Sequence, residues 1–467
     1  MSNYRPIAIT SSLSKVYEKI FLYRLEHHLQ INNCLNSQQH GFQKGKSTIT
    51  ALYDFVENVS KSIEAKEKLN VILYDFSNAF GTMFPPRLIQ KLKVFGYNDK
   101  ALSLMQSFLQ DREQYVQMRE IDCDNTEIYI NSKKMISNMG VPQGTILGPN
   151  SFTSYINDIS LTILIALLIL FADDTTALVK GKTYEEVNTK TLASNRQMVE
   201  FASSNFLHIN ANKTKILQMH THQTRTLVPP EVHINEREVE VVHDSKLLGV
   251  IISDTMNWSE QCDKVANKLR SITYMFTMLR ERVTESILKQ VYFAYAQSQV
   301  LYSIIIWGGA PQMNRVFVAQ KRVVRAMAGR RYWRSNCALD SCRPLFHKFG
   351  IMTVYSLYIL ESMKYLKRHP EKFTKCIDVP FEIRKQFVQT RSQKANNCEN
   401  DLYYNNCRLN LSIQNPDIMI PRIFNALPVY VKMISDDKNF LCKIREITLK
   451  RQFYDMDEYF VCNFESV

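Results

Sequence analysis

The pattern of apolar and polar residues predicts helices and strands in irregular alternation over the first half of the chain. Apolar residues at helical spacing predict helices over residues 12–28, 48–63, 86–95, 151–159 and 187–206. Short apolar runs predict strands at 70–74, at the end of the run 161–172, and within 233–252. The alternation lacks the strict rhythm of βαβ units.

The second half has a different character. Longer helical periods predict helices over residues 264–283, 286–306 and 315–328, and the pattern weakens after 336. Residues 1–255 carry 26 basic and 26 acidic side chains, and the remaining residues carry 32 and 19, so the net charge of +13 lies entirely in the second half. This asymmetry predicts a polyanionic partner such as nucleic acid, the alternative being a solubilising surface.

One basic stripe stands out in the second half. Residues 312–334 contain seven basic residues and no acidic one, and the predicted helix places Lys321, Arg322 and Arg325 largely opposite its apolar face. Arg330 and Arg331 continue the stripe. Such a stripe either binds phosphates or is an ordinary solvated helix face.

Composition narrows the class of protein. A chain of 467 residues that is 45% hydrophobic can bury the cores of several domains. Its ten cysteines form no Cys-x-x-Cys pair, and the spacing of Cys337, Cys342 and His347 matches no common zinc motif, so reduced thiols are expected. There is no apolar signal core at the start, and the apolar run 161–172 is about half of a membrane span. These features predict an intracellular protein, nuclear or cytoplasmic, that is neither secreted nor bound to a membrane.

Three aspartates follow predicted strands. Asp173 and Asp174 end the apolar run, where the chain must turn, and Asp75 ends the strand 70–74. Adjacent like charges beside a hydrophobic strand are unfavourable unless a cation offsets them, and carboxylate oxygens suit Mg²⁺. Carboxylates from separate strands are what two-metal phosphoryl transfer requires. The alternative is an ordinary acidic turn.

Ordered motifs connect these aspartates to a family. The motifs are Tyr4-Arg5-Pro6-Ile7, Leu13 to Glu18, Gln39-His40-Gly41-Phe42, the Asp75 segment, Gly140 to Pro149, Phe171 to Asp174, Asn210 with Lys213, Leu248-Gly249-Val250 and Asn257-Trp258. In this order they resemble the reverse transcriptases of non-long-terminal-repeat (non-LTR) retrotransposons, particularly Jockey-like elements. The basic helices that follow resemble the family's thumb.

The resemblance implies an α+β right-hand polymerase fold: fingers and palm with an antiparallel sheet over 1–255, a helical basic thumb over 256–335, and a helical C-terminal region of unknown role over 336–467. It implies an RNA-directed DNA polymerase acting with an RNA template, a DNA primer or target and deoxynucleoside triphosphates. Two Mg²⁺ ions, with Mn²⁺ as a substitute, would be held by Asp75 and Asp173, with Asp174 supporting.

The resemblance also implies roles for several other residues. The Phe76 carbonyl would be a further metal ligand, Phe80 would exclude a 2′-hydroxyl, Gln143 and Gly144 would line the nucleotide pocket, and Lys213 would protonate the leaving pyrophosphate. The alternatives from the residues alone are a core aromatic for Phe80 and a surface lysine for Lys213.

Departures from the family pattern leave a second function open. Gln43 stands where the family has Arg, although Lys44 and Lys46 are near enough to bind a triphosphate instead. Gly81 replaces a usual Asp, and Asn150-Ser151 replaces a common Leu pair. No apurinic-type endonuclease precedes Tyr4, so we expect the polymerase-to-C-terminus part of a longer protein. The alternative to an active polymerase is a catalytically impaired nucleic-acid-binding remnant.

Overall fold

The computed structural model describes residues 7–224, 226–329, 341–379, 400–462 and 464. The backbone divides into two compact units, of which the first contains residues 1–51 and 67–243 and the second contains 52–66 and 244–467. The break after residue 243 lies near the predicted change of character at 256. The predicted ranges 256–335 and 336–467 both fall within the second unit, and their separation stays a prediction.

The first unit consists of helices around one β-sheet. Its helices are α1 (Ser12–Ile31), the start of α2 (Thr48–Glu64), α3 (Ala79–Thr82), α4 (Pro85–Val94), α5 (Asp99–Leu109), α6 (Leu147–Tyr155), α7 (Ile159–Thr162) and α8 (Tyr184–Ser204). Each helix predicted in this half has an observed counterpart. The largest displacement is at α6, which begins at Leu147 rather than at residue 151.

The central sheet has five strands in the order β11-β8-β1-β7-β6. These strands are β1 (Lys68–Tyr74), β6 (Leu167–Phe171), β7 (Asp174–Gly181), β8 (Lys215–Met219) and β11 (Glu240–Val241), and a small hairpin is formed by β9 (His233–Ile234) and β10 (Arg237–Glu238). Strand β1 pairs antiparallel with β7 and β8, and β6 pairs antiparallel with β7. Only β11 joins in parallel, so among the described strands the predicted antiparallel sheet is observed with one parallel edge.

Helix α8 packs against β1 and β7. Two polar residues of β1 are buried there and hydrogen-bonded: Asn70 donates to Thr191 Oγ1 at 3.0 Å, and the Tyr74 hydroxyl donates to Asn195 Oδ1 at 3.3 Å. Buried polar groups of this kind stabilise a fold only when paired, and these pairs align the helix on the strand that leads to Asp75.

An exposed ribbon between residues 112 and 137 was not predicted. Its strands β2 (Arg112–Gln114) and β5 (Met135–Ser137) pair with each other, as do β3 (Gln117–Ile121) and β4 (Glu127–Asn131). Every residue of β3 and β4 is exposed. Because neither face is buried, the ribbon lacks the alternation that marks a half-buried strand.

Helix α1 is present as predicted, but the first part of its apolar stripe does not face the core, whereas Phe21 packs against the core and Leu25 is buried. Leu13, Val16, Tyr17 and Ile20 are 54–83% exposed, whereas the helix buries Glu18, Leu25 and Leu29. The buried carboxylate of Glu18 explains this orientation, because it binds the first N–H groups of α6.

The second unit is mainly helical. It contains the hairpin of β12 (Asp244–Leu247) and β13 (Val250–Ser253), most of α2, and the helices α9 (Ser259–Leu279), α10 (Glu285–Val291), α11 (Ser298–Leu301), α12 (Ile304–Trp307), α13 (Met313–Ala328), α14 (Arg343–Phe349), α15 (Val354–Arg368), α16 (Asn410–Ile413), α17 (Pro416–Asn425), α18 (Val429–Lys432), α19 (Asp437–Arg451) and α20 (Met456–Val461). The helices predicted over 264–283 and 315–328 correspond to α9 and α13.

The prediction of one continuous helix over 286–306 is wrong. The chain follows α10 with a π-helical segment, Tyr292–Gln297, and breaks after α11, where Ser303 has a φ of 52°. In the π-helical segment Tyr292 is fully buried, and its hydroxyl accepts a hydrogen bond from Gln320 Nε2 at 2.9 Å. Tertiary packing of Tyr292 accompanies the departure from regular α-helix, and helical periodicity does not report such packing.

Two further findings concern the cysteine side chains and the length and polarity of the helices. The described cysteines, at positions 34, 123, 262, 342, 376, 407, 442 and 462, are free thiols, while Cys337 lies outside the described residues. Within the described ranges, no helix is both long enough and apolar enough to cross a membrane.

Candidate active site

Asp173 lies in the tight turn of the β6–β7 hairpin. The last pair of the hairpin is Phe171 with Asp174, so Ala172 and Asp173 form a two-residue turn. Ala172 has a φ of 55°, which is rare for a residue other than glycine. The predicted hairpin tip is therefore observed, with one refinement: Asp174 is the first residue of β7.

Asp75 lies at the same edge of the sheet. The register of β1 with β7 ends at Tyr74 opposite Thr175. The next residues beyond this pair are Asp75 after β1 and Asp174 at the start of β7. Asp75 and Asp173 are half-buried and Asp174 is exposed. The structure thus brings the three predicted carboxylates to one edge, from separate strands.

The chain after Asp75 pairs with residues 208–210. Asn210 N donates to the Asp75 carbonyl at 2.8 Å and Ser77 N donates to the His208 carbonyl at 2.8 Å. This pattern makes Phe76 and Ile209 a non-hydrogen-bonded antiparallel pair. The Phe76 carbonyl therefore points away from the 208–210 segment.

The turn that carries Lys213 is attached to Asp75. The Asn210 carbonyl accepts hydrogen bonds from Lys213 N at 3.1 Å and Thr214 N at 2.9 Å, and Asp75 N donates to Thr214 Oγ1 at 3.4 Å. Lys213 itself is exposed. The residues from Asn210 to Lys213, whose spacing belongs to the predicted motif, thus form a compact turn beside Asp75.

Phe80 lies on α3, five residues after Asp75. Its half-buried ring packs on the buried ring of Phe152 in α6, with centroids 4.6 Å apart. The backbone of the Gly140 segment closes over α3: Gly140 N donates to Met83 O at 2.7 Å, and a Cβ on Gly140 would lie 2.7 Å from the Gly81 Cα. Glycine at position 140 therefore allows this close approach.

Gln143 and Gly144 precede α6, and residues near the start of the chain hold them. Ala8 N donates to the Gln143 carbonyl at 2.7 Å. The Glu18 carboxylate accepts from Ile146 N at 2.7 Å and from Leu147 N at 3.2 Å. A carboxylate at this position satisfies N–H groups that have no partner within the helix and complements the helix dipole.

The other end of α6 is held by a buried cation. Lys91 Nζ donates to the Tyr155 carbonyl at 2.5 Å and to Asp158 Oδ1 at 2.7 Å. Burial lowers the pKa of Lys91, although the hydrogen bond to Asp158 opposes this effect. Charged side chains from α1 and α4 thus fix the helix on which Phe80 rests.

The polar residues Asn150 and Ser151, which depart from the family pattern, both have hydrogen-bond partners. Asn150 Nδ2 donates to Glu26 Oε1 at 3.1 Å, and Ser151 Oγ donates to the Leu147 carbonyl at 2.7 Å. Both residues are buried with partners, so a polar pair is accommodated where the family pattern has apolar residues.

The lysines near Gln43 lie in different environments. Lys46 Nζ donates to the carbonyls of Ser37 at 2.5 Å and Gln39 at 2.8 Å, whereas Lys44 is exposed. Gln43 Nε2 donates to the Asn36 carbonyl at 3.4 Å. Lys46 therefore supports its own loop, and Lys44 is the more accessible cation for a triphosphate.

The basic stripe on α13 is partly engaged with aromatic rings. Lys321 Nζ lies 4.6 Å from the ring centroid of Phe317, Arg325 is half-buried, and Arg322 is exposed. The apolar residues Val324 and Met327 are buried, as the predicted sidedness requires. Arg330 and Arg331 lie outside the described residues.

Within the described ranges, no three or more His, Cys, Asp and Glu side chains form a group that could hold a metal ion by themselves. Mg²⁺ usually keeps several waters and is bound by one or two carboxylates together with substrate phosphates. Asp75, Asp173 and the Phe76 carbonyl offer oxygen atoms, which is the donor type that Mg²⁺ takes.

Sequence reasoning gave no role to Glu18, Lys91 or Gln39. Glu18 and Gln39 lie within the ordered motifs, and this membership could have pointed to a role for them. The partners Ile146 and Ala172, however, are more than a hundred residues away in sequence. No local pattern encodes such contacts.

Residues 1–252 match the family model described as reverse transcriptase (RNA-dependent DNA polymerase). The match covers more than half of the chain, and it includes the aspartates, the Gly140 segment and the Asn210 turn. The chain belongs to the reverse transcriptase family. Membership implies the right-hand polymerase fold, and the combination of helices with a mainly antiparallel sheet agrees.

Curated relatives from Drosophila melanogaster specify the branch. The probable RNA-directed DNA polymerase from transposon BS is 24% identical over 71% of this chain and 37% of the relative, and that from transposon X-element is 24% identical over 81% and 41%. The RNA-directed DNA polymerase from mobile element jockey is 23% identical over 70% and 36%. The resemblance to non-LTR, Jockey-like reverse transcriptases is confirmed, and the chain spans about two fifths of these relatives' length.

Among solved structures, a telomerase from Candida tropicalis in complex with a fragment of telomeric RNA aligns with a TM-score of 0.39. It has 13% sequence identity and covers 82% of this chain and 56% of that one.

Proposed function

We propose that this chain is an RNA-directed DNA polymerase of a non-LTR retrotransposon. It would copy an RNA template by adding deoxynucleotides to the 3′-hydroxyl of a DNA primer. The observation that carries the proposal is the register of β1 with β7, because it sets Asp75 opposite Asp174 and beside Asp173, in a chain whose family performs this chemistry.

In the proposed reaction the primer 3′-oxygen attacks the α-phosphorus of a deoxynucleoside triphosphate, and the bond to the bridging oxygen of pyrophosphate breaks. Asp75 and Asp173 would supply carboxylate oxygens for two Mg²⁺ ions, with the Phe76 carbonyl as a further donor and Asp174 in support. When bound, these ions would lower the pKa of the attacking hydroxyl and stabilise charge on the phosphates.

Other side chains would orient and select the nucleotide. Phe80, supported by Phe152, would fill the space that a 2′-hydroxyl needs. Gln143 and Gly144 would line the base and template side of the pocket. Lys213 would donate the proton that the leaving pyrophosphate accepts, and Lys44 would bind its phosphates.

The predicted fingers and palm would then correspond to residues 1–255. Lys321, Arg322 and Arg325, in the predicted thumb at 256–335, would contact the phosphates of the RNA–DNA duplex. The role of 336–467 stays open.

A second candidate is a nucleic-acid-binding protein with impaired catalysis. It is favoured by one local observation: Gln43 replaces the usual arginine while Lys46 is occupied by the Ser37 and Gln39 carbonyls, so the triphosphate would lose cations on this side.

Primer extension on an RNA template with Mg²⁺ and four deoxynucleotides tests the first candidate. Asp173→Asn, which keeps the side-chain size but removes the charge, should lower incorporation by about 10³-fold or more. Glu200→Gln, an exposed acid on α8, is the matched control and should retain activity.

Binding of an RNA–DNA duplex, measured on the same preparations, separates the two candidates. The parent chain could bind the duplex and yet show no incorporation that depends on Asp173. That result would reject the proposed polymerase and support a nucleic-acid-binding protein with impaired catalysis.

A further inference from the structure

The segment of residues 38–41 runs beside the strand that leads to Asp173. His40 N donates to the Leu170 carbonyl at 2.7 Å, and Leu170 N donates to the Gln38 carbonyl at 3.0 Å, which makes a short parallel bridge with the end of β6. Backbone contacts therefore connect this segment to the hairpin just before its turn.

The side chain of Gln39 extends the connection into the turn. Its Oε1 accepts from Gly41 N at 2.7 Å and from Ala172 N at 3.0 Å, and the residue is only 2% exposed. Both donors are backbone N–H groups, so the acceptor must be the amide oxygen and the orientation of the amide is fixed. One buried oxygen thus joins two loops that are more than a hundred residues apart.

The loops are also in close steric contact. A Cβ on Gly41 would lie 2.3 Å from Ala172 N, so only glycine fits at position 41. Ala172 has a positive φ that disfavours an alanine, and such a conformation persists only where neighbouring groups hold it. The hydrogen bond from Ala172 N to Gln39 is one of those restraints, directly before Asp173.

The other end of the amide argues against a purely stabilising role. Gln39 Nε2 is buried and has no hydrogen-bond partner among the described residues. A buried donor without a partner is unfavourable, so a residue chosen only for stability would avoid it. What the glutamine provides is an oxygen at one defined place.

We propose that Gln39 is a positioning residue for nucleotidyl transfer. Its amide oxygen fixes the Ala172–Asp173 turn and thereby the position of the Asp173 carboxylate relative to Asp75. The inference rests on the proposed polymerase function and adds a residue that makes no contact with substrate. Because Lys46 binds the Gln39 carbonyl, the same residue also links the loop of Lys44 to the turn.

The test compares three variants with the parent chain. Gln39→Met has nearly the same shape but no acceptor, and Gln39→Glu retains an acceptor oxygen. Gln38→Met makes the identical chemical change one residue earlier, where the side-chain Oε1 has no hydrogen-bond partner among the described residues. Each protein is examined by residue-resolved hydrogen exchange, by kcat and KM for deoxynucleotide, and by the Mg²⁺ concentration for half-maximal rate.

In Gln39→Met we expect the Ala172 amide to exchange at least about tenfold faster, because its acceptor is gone. We expect kcat to fall by about 10- to 100-fold and the half-maximal Mg²⁺ concentration to rise, with KM for deoxynucleotide within about threefold, since the carboxylates and not the nucleotide pocket are displaced. Gln38→Met should match the parent, and Gln39→Glu should recover exchange protection and part of kcat.

Two results would overturn the positioning role. One is a Gln39→Met protein with parental kcat and Mg²⁺ dependence. The other is equal impairment of Gln39→Met and Gln39→Glu, which would mean that the acceptor oxygen does not account for the effect. Should Gln39→Met fail to fold, comparison of Gln39→Glu with the parent in Ala172 exchange decides, because loss of protection there would contradict the contact. Absence of polymerase activity in the parent would reject the proposed function, whereas the exchange data would still test the contact.

Discussion

The rings of Phe80 and Phe152 lie 4.6 Å apart with 33° between their planes. This contact joins Phe80, five residues after Asp75, to the buried helix α6. Since α6 is fixed by Glu18 at one end and Lys91 at the other, Phe80 rests on a rigid support.

Replacing Phe80 with alanine should relax sugar selection. If Phe80 has the proposed role, removal of the ring would open the space that a 2′-hydroxyl needs, so the ratio of ribonucleotide to deoxynucleotide incorporation should rise by about 10- to 100-fold. Single-nucleotide extension with each sugar measures the ratio. Phe84→Ala is the control, because Phe84 packs on Phe206 instead, at 4.7 Å. An equal rise in both variants would contradict sugar selection by Phe80.

Removing the Glu18 carboxylate should destabilise the first unit. Glu18→Ala leaves the N–H groups of the half-buried Ile146 and the buried Leu147 without their acceptor, which should cost about 2–3 kcal/mol in the free energy of unfolding. Glu18→Gln keeps an acceptor and should cost about 1 kcal/mol. Urea denaturation measures both. Glu26→Ala, which removes only a contact with the Asn150 side chain, should cost less than Glu18→Ala, and the reverse order would refute the capping role.

Restoring the arginine at position 43 should improve nucleotide binding. Gln43→Arg adds a cation to the exposed loop beside Lys44, so KM for deoxynucleotide should fall by about 3- to 10-fold with kcat little changed. Steady-state primer extension gives both constants. Gln43→Met, which adds no charge, serves as the comparison. A KM that is the same in the Arg and Met variants would show that this loop does not reach the triphosphate.

Arg322 should contribute one phosphate contact. Arg322→Ala should lower affinity for an RNA–DNA duplex and reduce the slope of log K against log salt by about one. Fluorescence anisotropy at several salt concentrations gives the slope. Arg315 on the same helix donates to Asp263 at 2.5 Å, so Arg315→Ala should change the slope less. An unchanged slope for Arg322→Ala would remove the residue from the duplex-binding face.

Asp417 should make the second unit less stable as pH rises. Burial, and secondly the charge of Glu57, raises the pKa of this carboxyl to about 6. The unfolded chain has the ordinary value of 3.8, so between about pH 4 and 6 the folded state binds more protons than the unfolded state, and stability falls with rising pH.

Asp417→Asn should therefore be more stable than the parent at pH 7.5, by about 1–3 kcal/mol, and the advantage should shrink towards pH 4. Urea denaturation at several pH values measures the difference. Asp457→Asn is the matched control, since Asp457 is also the second residue of a helix but is exposed, and it should change stability by less than about 0.5 kcal/mol. An advantage of Asp417→Asn that is independent of pH would contradict the raised pKa.

The positions of the candidate carboxylates after strands were the most predictable feature of the candidate site. Asp75 and Asp173 each follow a buried strand whose apolar run is visible, and the order of motifs relates them to one family. The helical spacing that predicts α8 and α13 reflects burial of one face, which a sequence pattern records directly.

Contacts over long sequence distances were not predictable. Glu18 looks like a surface residue on a helix whose first apolar residues suggest the opposite orientation, and its hydrogen bonds from Ile146 N and Leu147 N account for the burial. Gln39 likewise acts through Ala172 N. The break after Tyr302 depends on how the π-helical segment packs, and helical periodicity carries no information about it.

The ribbon of β2 to β5 has a practical consequence. Its side chains Met118, Ile121, Ile128 and Ile130 are 41–67% exposed, and no other described strand pairs with the outer backbone edges of either two-stranded pair. Exposed edges with apolar side chains allow strands of separate molecules to pair. The purified chain should thus self-associate as its concentration rises, and charged residues placed at Met118 and Ile130 should raise its solubility limit.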